Sequence, residues 1–291
     1  MPSSKRVILT GPSGLIGKEA IAPLKEAGFD IYALTIDKNN PANGAHYIPC
    51  NLFDAQNLAK VFEEIKPQYL LNFAWATTED YLTSNINFDF LAAGLNLMKY
   101  FHKNGGKRAV FAGTCLEYAF KDTLLKETDA LDPKTVYAKC KHSLNELASL
   151  YAAQNNISFG WGRIFYVYGR GEHEKRLTAH IINSLRAGKE VEIKHSGLSK
   201  DYMYTKDIAA AFVKFLDGGV TGGVNICTGR AVTLADYARA IAKKLNKENL
   251  LILKDLPSSQ PALIAGDNTR LKNEVGFTPR YSLEAGLEEI L

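Results

Sequence analysis

Cysteine is sparse and irregularly spaced. The four residues, Cys50, Cys115, Cys140 and Cys227, form no CxxC and no paired spacing, so they read as reduced thiols and not as a disulfide framework or zinc ligands. No apolar run approaches the roughly 18 residues that a membrane span needs, and the N-terminus shows no apolar signal-peptide core. The expected compartment is therefore the cytoplasm, with no membrane contact. No Lys/Arg-rich block stands out and the formal net charge is only +4, which argues against a nucleic-acid surface while suiting a small anionic ligand. The six histidines lack metal-ligand spacing, so no metal is expected, and His173 and His195 stand only as minor substrate-contact candidates. Internal repeats and low-complexity linkers are also missing. What remains has ordinary globular composition, 46% hydrophobic and 23% charged, and 291 residues suffice for one large α/β domain or one with a small appendage.

The apolar run Val7-Ile8-Leu9 leads into Thr10-Gly11-Pro12-Ser13-Gly14-Leu15-Ile16-Gly17, which reads as strand, glycine-rich turn and helix start. In the G-x-x-G-x-x-G spacing the first glycine allows a tight turn, the second lets the backbone approach a pyrophosphate, and the third lets helix and strand pack closely. The free N–H groups at the helix start then face phosphate. A glycine-rich turn without a ligand is the plain alternative. Gly28 is placed to end this helix. The next strand, Phe29 to Ile36, ends where an acid would select NAD and basic or small polar residues would accept a 2′-phosphate. Thr35 with Lys38 favours NADP(H), and Asp37, two residues late, keeps NAD(H) open. Asn51, after a third short strand, stands where a polar side chain could meet the adenine edge, or is a simple turn residue. A helix follows from Ala55 to Ile65. A strand from Tyr69 ends in Ala74-Trp75-Ala76-Thr77, small and polar enough to border a ligand. A long helix over about Asn85 to Lys103 carries a broad apolar face, and the strand Arg108 to Ala112 ends at Gly113-Thr114-Cys115. This alternation predicts a doubly wound parallel sheet whose strand tips, Gly11, Thr35, Ala74 and Thr114 among them, share one rim.

Asp132 and Pro133 are the expected N-cap and first residue of the next helix. Within it Tyr137 and Lys141, four apart, project from one face. A lysine ammonium beside a tyrosine, and a positive nicotinamide near both, favour the phenolate and suit proton exchange with a substrate oxygen. Thr114 is positioned to hydrogen-bond the same oxygen. An incidental polar pair on a surface helix is the plain reading of Tyr137 and Lys141. Lys175 and Arg176 suit a diphosphate or a solvated helix start, and Asp267 and Arg270 suit a nucleotide contact or a structural ion pair.

Taken together, Thr10–Gly17, Thr114 with Tyr118, Tyr137-x-x-x-Lys141, Arg163–Gly169, Lys200–Asp207, Asn225–Gly229 and Gly276-Phe-Thr-Pro279 resemble the extended short-chain dehydrogenase/reductases. Within these the chain is most similar to the NAD-dependent epimerase/dehydratase family that modifies nucleotide sugars, and the resemblance spans nearly the whole chain. It implies a Rossmann-type NAD(P)-binding domain over residues 1–165. Residues 166–291 would be mainly a smaller α/β substrate domain, with a segment near 200–230 returning to the first. It implies Thr114, Tyr137 and Lys141 as catalytic residues. Cofactor contacts would come from Gly11, Ser13, Gly14, Leu15, Ile16, Gly17, Thr35, Lys38, Asn51, Leu52, Ala74, Tyr137 and Lys141. Substrate contacts would come from Thr77, Cys115, Phe165, Arg176 and Lys200, and a homodimer would form through the helices near 85–103 and 133–155. The departures narrow the reaction. Sugar dehydratases of this group carry Asp-Glu after the strand-tip Thr, where this chain has Cys115 and Leu116, so elimination of water is disfavoured. Phe165 stands where Asn is frequent, Arg170 where Pro follows Tyr-Gly, and Lys200 in place of Arg, without the bidentate fork. The expected activity is NAD(P)H-dependent reduction of a nucleotide-linked 4-keto-6-deoxysugar. A nucleotide-sugar epimerase with tightly bound NAD comes second, and a non-catalytic cofactor-sensing or RNA-binding relative third.

Overall fold

In the computed structural model, which describes residues 5–37, 40–77 and 80–291, the Val7-Ile8-Leu9 run is a central strand buried on both faces. The strands are β1 (Lys5–Thr10), β2 (Phe29–Thr35), β3 (His46–Pro49), β4 (Tyr69–Asn72), β5 (Arg108–Thr114), β6 (Ser158–Ile164), β7 (Tyr166–Tyr168), β8 (Val191–Ile193), β9 (Ser199–Lys200), β10 (Tyr202–Tyr204) and β11 (Gly222–Ile226). The helices are α1 (Gly17–Glu26), α2 (Ala55–Ile65), α3 (Ile86–Lys103), α4 (Val136–Gln154), α5 (Leu177–Arg186), α6 (Thr205–Asp217) and α7 (Leu234–Leu245). A seven-stranded parallel sheet runs in the order β3-β2-β1-β4-β5-β6-β11. This is the doubly wound arrangement expected from the sequence.

Alternate residues of each strand serve opposite layers. Val7 and Leu9 pack with Ala20, Ile21 and Leu24 of α1 and Ile208, Phe212 and Phe215 of α6. Ile8 points the other way, into a cluster with Leu58 and Phe62 of α2, Leu97 and Phe101 of α3, and Leu144 and Ala148 of α4. Apolar burial on both faces explains why the strands read as continuous hydrophobic runs. A third cluster around Tyr168, Ile181, Leu185, Tyr237 and Ile241 forms the core of the C-terminal layer. Here β11 pairs with β6 in the main sheet, and α6 packs on that sheet, so residues 205–226 belong to it although residues 166–200 precede them.

Local signals set most helix ends. Asp54 accepts from Gln56 N and Asn57 N at the start of α2, and Thr233 caps α7. Gly28 follows α1 in a left-handed conformation, with φ +77. The start of α4 differs from expectation: the helix begins at Val136, and the cap is Thr135, whose side chain accepts from Ala138 N, not Asp132. Asp132 N is instead donated to Glu117 O, which holds this segment against the turn after β5 and delays the helix.

Candidate active site

Strand order reverses between β1 and β4, and a cleft opens at their carboxyl ends, where such sheets take ligands. The two tips are tied together: the Thr10 hydroxyl donates to Asn72 Oδ1 at 2.5 Å and accepts from Ala74 N. The cleft holds about 190 Å³. Gly11, Gly14, Leu15, Ile16 and Gly17 line one end, and Thr114, Tyr137 and Lys141 line the other. The glycines are sterically required. Gly11 has φ +67, and a Cβ at Gly17 would lie 1.9 Å from Gly11 O. Backbone this close, beside the N-terminus of α1, leaves the cradle that a dinucleotide pyrophosphate fits. Among the described residues no group of three or more His, Cys, Asp or Glu is arranged to hold a metal ion.

Tyr137 and Lys141 come from the first turns of α4, and Thr114 from the tip of β5. Tyr137 N donates to Leu82 O, and the Tyr137 ring meets Tyr81 edge-on at 4.9 Å. The Thr114 hydroxyl is hydrogen-bonded to the Tyr137 phenol, and Thr114 N donates to Glu117 Oε1 at 2.9 Å. Glu117 is fully buried and also accepts from Trp161 Nε1 and Arg163 Nε, so a paired, satisfied carboxylate braces the strand tip from behind. Lys141 Nζ donates to Ala112 O at 2.8 Å and lies 4.0 Å from the centre of the Trp75 ring.

The expected pull of Lys141 and a bound nicotinamide on the Tyr137 phenol is opposed by burial. Burial pushes the Tyr137 phenol well above its ordinary value, the Tyr81 phenol adds to this, and the Thr114 hydrogen bond offsets only part. The Lys141 amine sits 6.0 Å from the Tyr137 ring centre. Burial also drives that amine toward its neutral form, pushing its pKa down to about 7. The protein's own groups thus favour the neutral phenol of Tyr137.

A model of the NAD-dependent epimerase/dehydratase family matches residues 7–227. The chain belongs to the NAD-dependent epimerase/dehydratase family. Among relatives of this family, it is 25% identical over 288 residues to the spore coat polysaccharide biosynthesis protein SpsK of Bacillus subtilis, covering 96% of this chain and 95% of that one. It is 25% identical over 301 residues to CDP-abequose synthase of Salmonella typhimurium, covering 98% and 97%. In structure it is similar to UDP-glucose 4-epimerase of Thermotoga maritima, solved with UDP-glucose, at a TM-score of 0.88 and 21% identity over 98% and 96% of the two chains.

Against the family's motifs, the remaining expected residues divide. Thr77, Phe165 and Arg176 line the cleft. Arg176 donates to Thr77 O at 3.0 Å and lies over the Tyr81 ring, so it spans the mouth. Ser13, Thr35, Asn51, Leu52 and Ala74 lie outside the lining. Thr35 is buried at the tip of β2, where its hydroxyl accepts from Asp37 N at 3.0 Å and lies 3.4 Å from the Asp37 carboxylate. Asn51 Oδ1 is used locally, accepting from Phe53 N. Lys38 lies outside the described residues. Cys115 and Lys200 stand behind the cleft wall. Cys115 packs in a cluster with Phe165 and Tyr118, its thiol pushed up to about 12 by burial, which makes it inert as a nucleophile at neutral pH. Lys200 Nζ is buried without a hydrogen-bond partner, 5.3 Å from the Tyr166 ring centre.

Four side candidates make local bonds. Arg270 pairs with Glu274 and donates to the carbonyls of Gly223 and Thr221, and Asp267 accepts from Thr269 N, both away from the cleft. His195 Nδ1 is engaged with Leu256 O, and His173 Nδ1 accepts from Lys175 N. Trp75 falls in the stretch expected to border a ligand, but its place against Lys141, and that of Tyr81 against Tyr137, went unread in the sequence. The one signal was a tryptophan interrupting the small residues Ala74 and Ala76.

Proposed function

We propose that this chain reduces the keto group of a nucleotide-linked 4-keto-6-deoxysugar. The observation that carries the reading is the placement of Tyr137, hydrogen-bonded to Thr114, at the end of a glycine-lined cleft, with Cys115 and Leu116 where an acid–base pair for elimination would stand. When bound, the reduced nicotinamide cofactor supplies hydride to the carbonyl carbon. Tyr137 gives its proton to the carbonyl oxygen as negative charge develops there. The Thr114 hydroxyl hydrogen-bonds that oxygen, and the Lys141 ammonium stabilises the phenolate left behind. Leu116 carries no proton to transfer and Cys115 holds its own, so neither removes water from the sugar.

The cofactor reading shifts toward NAD(H). The Thr35 hydroxyl, expected to accept a 2′-phosphate, is tied to Asp37, and a carboxylate at the tip of β2 suits a ribose hydroxyl and repels a phosphate. For the substrate, Arg176 at the mouth is the cation assigned to the diphosphate, with Lys200, buried outside the cleft lining beside the Tyr166 ring, the second candidate. A homodimer through α3 and α4 is supported by Phe88, Leu147 and Leu150, which stand 56%, 47% and 58% exposed on those helices. No helix among the described residues is long and apolar enough to cross a membrane.

The purified chain is mixed with NADH or NADPH and 4-keto-6-deoxysugars linked to dTDP, CDP, GDP or UDP. Loss of nicotinamide absorbance with formation of the reduced sugar is expected, faster with NADH. Absence of turnover with every one of these sugars overturns the reading. The epimerase alternative rests on the likeness to a 4-epimerase fold together with Asp37 at the NAD-selecting position. It is the outcome if NAD co-purifies and a 4-hydroxyl is inverted with no net redox change.

A further inference from the structure

Lys141 faces an unusual burden. It is 3% exposed, and its one hydrogen bond goes to Ala112 O. Glu117 is the charged group nearest in effect, but its oxygens are already shared by Trp161, Arg163 and Thr114 N. Of the other titratable groups around the amine, Tyr137 comes from its own helix and Tyr81 packs behind Tyr137 from the segment before α3; both are neutral phenols. No carboxylate faces Lys141 directly, and burial drives the amine toward its neutral form. The group that covers it is the Trp75 indole, with the ammonium 4.0 Å from the ring centre. An indole face is the best aromatic partner for a cation and gains strength where water is excluded.

Trp75 is itself locked. Its Nε1 donates to Asn87 Oδ1 at 2.7 Å, and Asn87, fully buried near the start of α3, donates its amide to the carbonyls of Tyr81 and Ser84, each at 2.7 Å. Phe90 stacks on the indole at 5.4 Å, and the Tyr137 ring meets it edge-on at 6.1 Å. A ring held on three sides has one orientation, and in it the π face is turned to Lys141.

We propose that Trp75, fixed by Asn87, is a positioning residue that keeps Lys141 protonated and aimed along the wall of the cleft beside Tyr137. It touches neither substrate carbonyl nor transferred proton and acts through Lys141. The proposal rests on the reading that Lys141 supports the Tyr137 proton transfer, yet its first test needs no substrate. Protein carrying lysine labelled with ¹³C at the ε carbon is titrated by NMR, with the Lys141 signal assigned by its loss in Lys141→Arg. In Trp75→Leu the Lys141 midpoint is expected about one pH unit lower than in the parent, the size a desolvated cation–π contact supports. Trp75→Phe, which keeps a π face without the Nε1 donor, is expected to fall between the two. Site-specific fluorinated tryptophans at position 75 keep the ring's shape while draining its negative face. They guard against a leucine variant that misfolds, and the midpoint is expected to step down with each added fluorine.

An unchanged Lys141 midpoint across Trp75→Leu and the fluorinated series overturns the proposal. In turnover, the alkaline limb of the kcat profile is expected to move to lower pH in Trp75→Leu, with KM for the sugar nucleotide nearly unchanged; a KM effect with no change in the pH profile counts against it. A shifted midpoint in a chain that reduces no 4-keto sugar upholds the proposal while overturning the assigned reaction.

Discussion

Lys141 and Lys200 are both buried lysines near one cleft, and the protein treats them in opposite ways. Lys141 has a carbonyl acceptor at 2.8 Å and an indole face at 4.0 Å. Lys200 has no acceptor for its amine, and its nearest ring centre is 5.3 Å away. In both, burial pushes the pKa down, to about 7 and about 8 respectively. Lys141 is thus held on two sides by the fold, whereas Lys200 has no hydrogen-bond acceptor and only the Tyr166 ring beside its amine. A buried ammonium without an acceptor is costly, which makes Lys200 the residue to test for an anionic ligand.

The largest effect that separates the two lies in turnover. Lys141→Met is expected to lower kcat by about 10²–10⁴-fold in the sugar-nucleotide reduction, the range attached to a positioned proton-transfer apparatus, with KM nearly constant. Equal losses in kcat for Lys141→Met and Lys200→Met would erase the distinction. Next comes binding. Lys200→Met is expected to raise KM for the sugar nucleotide by about 10–100-fold, the worth of one charge-assisted hydrogen bond to a phosphate, while kcat changes little. Steady-state kinetics with the nucleoside diphosphate as competitive inhibitor checks this, because the same factor should appear in its inhibition constant.

The smallest effect is in stability. For Lys200 the folded pKa lies below the unfolded value of 10.5, so between about 8 and 10.5 the unfolded chain binds more protons and stability rises with pH. Below about 8 the lysine is charged in both states and its burial penalty is fully present. Lys200→Met is thus expected to raise the unfolding midpoint by a few degrees at pH 6, on the order of 1 kcal/mol, with the gain shrinking as the pH approaches 10. Calorimetric scans across that range test it; a loss of stability at pH 6 would mean that Lys200 has a partner in the folded chain after all.

Local patterns made much of this molecule legible. The glycine spacing named the cradle because Gly11 and Gly17 face steric demands that no other residue meets. The four-residue spacing of Tyr137 and Lys141 put both on one side of α4, and the helix expected from Ala55 to Ile65 is α2. Less legible was anything that depends on who meets whom. Asp132 reads as a helix cap by composition, but its backbone is held by Glu117 O and the cap passes to Thr135. Arg270 reads as a nucleotide contact or an ion pair, and only its bonds to Glu274, Gly223 and Thr221 decide the matter.

By itself the sequence determined the alternating parallel sheet, the glycine-lined turn after its first strand and the shared helix face of Tyr137 and Lys141. Each follows from residue type and short-range spacing, which dictate backbone geometry and which side chains share a face. Tertiary structure decided the burial that raises the Tyr137 phenol, the indole that covers Lys141, the tie between Thr35 and Asp37 and the burial of Lys200 without a hydrogen-bond acceptor. Those properties come from desolvation and from partners brought in by separate strands and helices. A side chain's charge state depends on everything packed around it and not on its neighbours along the chain.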